Sequence, residues 1–355
     1  MSATPSTSAA GPTGDKIIDV TTTGYRWVLG PDRTIDWSIS GGFGAETWGT
    51  TAEQAAVVTA LKAILGTFER YADIHFNYVG SFSNPTAANA GGSEINFFID
   101  NEGRFFSSNN YLARGGFPAA AIDSGWFNGG AGDVVINNRS PAAGYDYSPG
   151  SEGWALLLHE VGHALGLKHP HDDGGTGHPT YDEAGVGAFD FDWVTIMSYE
   201  DSNPDSMKLY HPGTPMVADV LALIALYGPN IADNTGDGTY SLFGDGVWRT
   251  FLSTGGLDLV SVARSTLGWH IELPFAALSS SVPYAVGFAA PTSDLALDAP
   301  RSMNWLVGSM EDVEGSPQDD QIQGNRLANI LNGGGGADSI LGFAGDDTID
   351  GGVGN

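Results

Sequence analysis

Residues 159–169, His-Glu-Val-Gly-His-Ala-Leu-Gly-Leu-Lys-His, set three histidines and one glutamate at a spacing that can hold a metal and work on water. Residues four apart on an α-helix share a face, so His159 and His163 can offer two imidazoles to one cation, with Glu160 beside that face. Gly166 can adopt the left-handed conformation that ends a helix, which turns the chain and returns His169 as a third nitrogen ligand. Three imidazoles and an open fourth position describe a catalytic zinc centre. Zinc lowers the pKa of bound water from about 15.7 to about 7 and polarises a carbonyl, and Glu160 is placed to act as the general base. A purely structural site has no need of a carboxylate beside the open position.

The elements that must carry this centre can be read from periodicity. Ile35, Trp37 and Ile39 alternate as in a half-buried strand over 34–40, and Thr50 with Glu53 forms a capping box ahead of a helix whose stripe is Val57, Val58, Leu61, Ile64, Leu65 and Phe68. Further strands are expected at 74–79, 94–99, 115–122 and 133–137, with His75 an ordinary sheet residue. Ser151 caps the metal-binding helix, which packs through Trp154, Leu157, Leu158, Val161 and Leu165. After a long loop ending in 195–199, Thr214 is expected to cap and Pro215 to begin a second long helix that stops at Gly228-Pro229. One strand, a helix and then several strands predict an α+β unit with a mixed sheet. His171, His178 and His211 are surplus to a filled site and are expected to be loop residues.

The chain has 355 residues and 41% hydrophobic content, enough for two domains with real cores. Its formal charge of −28, from 42 acidic against 14 basic residues, disfavours nucleic acid and anionic membranes and favours cations. Absence of cysteine excludes disulfides and thiolate zinc ligands. The longest apolar run, 220–226, is too short to cross a bilayer. Residues 1–14 lack the basic start and apolar run of a signal peptide and read as a flexible tail, so that export, if it occurs, proceeds without an N-terminal signal.

From about Ile231 the composition shifts to Gly, Ser, Thr and Asp, which places a boundary between a catalytic domain at 15–230 and a second domain at 231–355. There the chain repeats every nine residues in blocks starting at Gly315, Gly324, Gly333, Gly342 and Gly351, with Ile322, Leu331, Ile340 and Ile349 at position eight. Such nonapeptides form a parallel β-roll in which glycines turn the chain and aspartates with main-chain oxygens hold Ca²⁺. The expected ligands are Asp320, Asp338 and Asp347 with the loop residues Gly333, Gly335, Gly342 and Ala344, and Asp320 is expected to face Asp338 across one ion. The first two blocks are degenerate, carrying Pro317 and Arg326 where a small residue is usual. The last block stops at Asn355 before its aspartate, which reads as a truncated roll in a fragment of a longer protein.

Taken together, the zinc motif at 159–170, Ile-Met-Ser-Tyr at 196–199 and the nonapeptides resemble the serralysins, secreted bacterial metalloproteases of the metzincin clan. The resemblance implies a metzincin catalytic domain, with a mixed twisted sheet, an active-site helix and a C-terminal helix, followed by a calcium-binding roll. By the same resemblance His159, His163 and His169 bind zinc, Glu160 is the base, Met197 lies beneath the site, and Tyr199 is both a mobile zinc ligand and a donor to the oxyanion. It also implies that 117–122 is the edge strand for substrate, with contacts at Ala119, Ala120 and Ala121, and that Glu311 supplies a carboxylate to a calcium site. The family's early calcium site is weakened here, where 234–238 reads Asn-Thr-Gly-Asp-Gly. The reading is a monomeric, extracellular zinc endopeptidase stabilised by calcium and acting on polypeptides, bacterial surface proteins among them. Competing readings are a surface-associated repeat protein with a non-catalytic metal site, and a zinc hydrolase of a non-peptide bond.

Overall fold

The computed structural model describes residues 3–44, 46–106, 112–120, 130–137, 146–200, 211–295 and 300–354. Its first part contains strands β1 (Thr4–Pro5), β2 (Trp27–Val28), β3 (Thr34–Ser40), β4 (His75–Phe82), β5 (Ile95–Asp100), β6 (Ala113–Gly115), β7 (Val134–Asn137) and β8 (His211–Pro212). The helices are α1 (Lys16–Thr21), α2 (Thr51–Glu69), α3 (Pro85–Ala90), α4 (Glu152–Ala164) and α5 (Val217–Tyr227). The alternation of Ile35, Trp37 and Ile39 buries all three, and β3 sits inside a five-stranded sheet ordered β4-β3-β5-β7-β6. All neighbours in that sheet are parallel except β6, which runs antiparallel to β7 at the edge.

Helix α2 begins with the capping box between Thr50 and Glu53 that the sequence announces, and its Leu61, Ile64, Leu65 and Phe68 enter the same core as Trp154, Leu157, Leu158 and Val161 of α4. Ser151 caps α4 through its bond to the Trp154 amide. The metal-binding helix is thereby packed against the sheet and α2 in one core.

Three expectations change. The strand placed at 115–122 ends at Gly115, because Pro118 has no N–H for the ladder and the chain turns with the Ala119 amide bonded to Phe117 O at 2.8 Å. Residues 121–122 lie outside the described residues. Thr214 does not cap α5. Its hydroxyl accepts the Thr250 amide at 2.9 Å, while the cap is Met216, whose amide donates to the Asp219 carboxylate at 2.9 Å. The stretch 3–14 is not loose. β1 pairs with β2, the Ala10 amide donates to Gly24 O, and the Thr13 and Gly14 amides donate to Asp19 at 2.6 and 2.7 Å. Its composition gave no apolar stripe, and main-chain pairing needs none.

The second part comprises β9 (Thr239–Ser241), β10 (Val247–Ser253), β11 (Leu259–Ser261), β12 (Trp269–Ala277), β13 (Ala285–Pro291) and β14 (Asn304–Gly308). It continues with β15 (Asp312–Glu314), β16 (Gln321–Gln323), β17 (Ile330–Asn332), β18 (Ser339–Leu341) and β19 (Thr348–Asp350). Successive short strands alternate between two sheets, so residues eighteen apart align: Ile322 with Ile340, and Leu331 with Ile349. This is the parallel roll expected from the nine-residue period, with antiparallel β13 inserted between β12 and β14.

Although the composition changes at 231, the two parts share a core. Leu252, Val282 and Val307 pack with Ile17, Val217, Val220 and Leu221, and β8 pairs in parallel with β10. Asp15 adds a polar clamp. It caps α1 and also accepts Ser279 Oγ at 2.6 Å, Ser280 Oγ at 3.0 Å and the Ser281 amide at 2.7 Å.

Candidate metal centre

Helix α4 presents His159 and His163 on one face, and the chain reverses at Gly166, where φ is +102° and a Cβ would lie 2.2 Å from Tyr25 O. Only glycine fits there. The last helical carbonyls are satisfied from elsewhere, Ala164 O by Trp27 Nε1 at 2.9 Å and Leu165 O by the Tyr227 hydroxyl at 2.8 Å. The reversal brings His169 Nε2 to 3.1 Å from His159 Nε2 and 3.0 Å from His163 Nε2.

Each imidazole is held from behind. His159 Nδ1 meets Ile196 O at 2.7 Å, His163 Nδ1 meets Leu167 O at 3.0 Å, and His169 Nδ1 meets Asp172 Oδ2 at 2.8 Å. With the Nδ1 protons committed to these acceptors, three Nε2 lone pairs converge, an arrangement that repels itself without a cation between them. Burial and the neighbouring imidazoles hold His163 well below its usual pKa, which keeps it a neutral ligand. The separations are roughly those of nitrogens about 2.0–2.1 Å from one tetrahedral ion. The donor set therefore fits zinc.

Glu160 is 5% exposed and lines the same cleft. Burial pushes its carboxyl up to about 8, against the Gly115 amide and the Arg114 guanidinium, which pull it down. Tyr199 places its hydroxyl 2.9 Å from His169 Nε2, within reach of the open side of the centre. Met197 is fully buried beneath α4, and a Cβ on Gly162 would lie 2.7 Å from its sulfur. The residues singled out around the zinc motif thus come together.

The proposed substrate contacts do not. Ala119 is fully buried and the Ala120 amide donates to Ser6 O at 3.1 Å, so the main chain there already pairs with the N-terminal segment. Ala121 lies outside the described residues. The strand that borders the cleft is β6, and the cleft, about 730 Å³, is lined there by Ala113, Arg114, Gly115 and Phe117. His178 is a structural loop residue bonded to Ala10 O at 2.9 Å, and His211 sits in β8. His171 is closer to the centre than expected, stacked on His169 at 5.1 Å.

Two positioning residues escaped the sequence reading. Asp172 stands three residues after a ligand, a spacing that could have flagged it as the partner of His169. Asp219 is buried and accepts the Ile196 amide at 2.7 Å and the Thr195 hydroxyl at 2.7 Å, so it fixes the turn whose Ile196 carbonyl orients His159. Its place in the first turn of α5 signals a cap, and only the fold shows the second duty.

In the roll, Asp338 Oδ1 accepts the Asp320 amide at 2.9 Å, while Asp338 Oδ2 is buried without a hydrogen-bond partner. A Cβ at Gly333 would lie 2.4 Å from that oxygen, and one at Gly342 would lie 2.3 Å from Asp347 Oδ2. These glycine-walled carboxylate cradles fit calcium. Asp320 and Glu311 differ from expectation: both oxygens of each accept donors from the protein itself.

Residues 71–213 match the family described as metallo-peptidase family M12B, reprolysin-like. The chain is 42% identical to serralysin C of Dickeya chrysanthemi over 98 residues, covering 26% of this chain and 20% of that protein. It is 28% identical to metalloprotease AprA of Pseudomonas entomophila (strain L48) over 301 residues, 75% of this chain and 56% of the relative. Against serralysin of Proteus mirabilis it is 30% identical over 203 residues, 56% and 37% of the two chains. The chain spans from about a fifth to 56% of the length of these relatives. With the three-histidine centre, the buried methionine turn and the mixed sheet on the page, the chain is similar to the serralysin-type metalloproteases over these stretches.

Proposed function

We propose that this protein is a zinc-dependent endopeptidase that acts outside the cell and is stabilised by calcium. The observation that carries the reading is the convergence of three Nε2 atoms beside Glu160 at the floor of an open cleft. Bound to those nitrogens, zinc would supply an activated water and polarise the scissile carbonyl. Glu160, which a neighbouring cation would favour in its ionised form, then accepts the proton of the attacking water and passes it to the leaving amine. Tyr199 turns its hydroxyl from His169 toward the oxyanion and donates to it.

Substrate lies antiparallel along β6, the strand at the edge of the sheet that borders the cleft, and pairs through main-chain groups. That edge favours a peptide over a non-peptide ester or amide, and a carboxylate buried beside the ligands favours an enzyme over a scaffold. Calcium is held by Asp338 and Asp347 with main-chain oxygens of Gly333, Gly335, Gly342 and Ala344. Extracellular action follows from that calcium dependence and from the family. Unfolded polypeptides, including bacterial surface proteins, are the substrate class, and the protein acts as a monomer.

The test is Glu160→Gln. Turnover of an unfolded polypeptide should fall by roughly 10²–10⁴-fold with zinc still bound at one per chain. Undiminished cleavage by that variant would refute the mechanism.

A further inference from the structure

Two kinds of loop alternate with the roll strands, and they differ in how their carbonyls and carboxylates are satisfied. In the outer loops, 333–338 and 342–347, position two is Gly334 or Phe343 and position four is Gly336 or Gly345. All four residues have left-handed backbone, with φ of +84°, +67°, +111° and +134°. In the inner loops, 315–320 and 324–329, those positions are Ser316, Asn325, Gln318 and Leu327. None of these four is among the positive-φ residues of the described chain, so the inner loops turn differently.

We infer that the inner loops are closed by side-chain amides and a hydroxyl in place of calcium, so that ion binding in the roll is confined to the Asp338 and Asp347 loops. Asn325 Nδ2 donates to Met310 O at 2.8 Å, and Asn329 Nδ2 donates to Glu311 O at 2.8 Å and to Asn325 Oδ1 at 3.1 Å. Asn329 Oδ1 accepts the Asn325 amide at 3.0 Å, and Asn325 Oδ1 accepts the Leu327 amide at 2.9 Å. Both asparagines are at most 2% exposed. Their amide nitrogens stand against buried carbonyl oxygens, which is the electrostatic role a cation fills between turns of such a roll.

On the other row, both oxygens of Asp320 are engaged. Oδ1 accepts the Trp269 amide at 2.7 Å and Ser316 Oγ at 3.0 Å, and Oδ2 accepts the Ser316 amide at 2.6 Å. Glu311 is likewise engaged, by the Asp258 amide at 3.0 Å and by Ser309 Oγ at 2.6 Å. Asp338 Oδ2, by contrast, has no donor. Glycine and phenylalanine at position two of the outer loops offer no polar side chain that could replace an ion. A neutral amide needs no ion to be recruited from solvent, so the inner turns stay closed when calcium is scarce and give the outer turns a preformed surface on which to wind.

This inference goes beyond the calcium assignment, and the two fail separately. The full chain is melted in EGTA, and calcium binding is titrated by calorimetry. Asn325→Ala and the near-isosteric Asn329→Asp should each lower the Tm in EGTA by roughly 2–8 °C. Asn325→Ala should leave the number of bound calcium ions unchanged. The double variant Asn325→Gly with Asn329→Asp, which restores glycine and aspartate at positions two and six, should bind one ion more than the parent. Melting of all variants with the parent in EGTA, or loss of a bound ion in Asn325→Ala, overturns the inference. A parent that binds no calcium at all refutes the assignment at Asp338 and Asp347, while the EGTA comparison still decides the amide closure.

Discussion

At the zinc centre every ligating imidazole is tied from behind, to Ile196 O, Leu167 O and Asp172, so the fold alone fixes three converging nitrogens. In the outer loops of the roll, by contrast, Asp338 Oδ2 is buried and has no hydrogen-bond partner. The first site is organised before its ion arrives. The second leaves one buried carboxylate oxygen without a donor, which costs free energy until a cation enters. On the proposed reading, the zinc ligands are pre-set by the fold, whereas calcium binding in the roll would be coupled to folding, since the ligands repel one another and the whole chain carries −28.

The largest effect that would sharpen this contrast lies in the roll. Calcium at a hundredfold excess over Kd should stabilise the protein by about 2.7 kcal/mol per site, and Asp338→Ala with Asp347→Ala should abolish that rise in Tm. A calcium response that survives in the double variant breaks the assignment. Next comes the zinc centre, where Asp172→Ala removes the acceptor behind His169. Competition with a chromophoric chelator should show zinc affinity lowered roughly 10–100-fold, with no change in calcium response. Unchanged zinc affinity would mean that the fold holds His169 without its carboxylate.

The smallest expected effect concerns the clamp between the two parts. Burial raises the Asp15 carboxyl, but the Ser279 hydroxyl, the Ser281 and Ile18 amides and the Ser280 hydroxyl outweigh it and hold the group at about 2, below its ordinary 3.8. Because the folded value lies below the unfolded one, the stabilisation is fully present above about pH 4 and is lost as pH falls through 2. The Tm difference between the parent and Asp15→Asn should be constant above pH 4 and shrink toward pH 2. A difference that does not vary with pH would show that Asp15 acts through shape and not through charge.

Periodicity in the sequence was enough for β3, α2, α4 and the roll, because each of these is specified by local spacing: two for a strand, 3.6 for a helix, nine for a turn of the roll. The zinc ligands were legible for the same reason, all three lying within eleven residues joined by one glycine turn. Legibility failed where a partner is distant in sequence. The tail at 3–14 has no stripe to read, yet it meets Arg26 and Pro118. The strand expected at 115–122 was misplaced by several residues because Pro118 and its neighbours look extended, while the Pro118 carbonyl and the Ala120 amide bond to Ser6.

The motif at 159–169, with its glycine at 166, determined by itself which atoms gather around a metal and which carboxylate stands beside them, since one helix and one turn are short enough to be encoded locally. Tertiary structure decided the rest: that Asp219 on α5 holds the turn behind His159, that β6 borders the cleft, and that Asn325 and Asn329 meet the carbonyls of Met310 and Glu311. Those outcomes depend on which buried polar group finds which partner across the fold, and no local spacing records that choice.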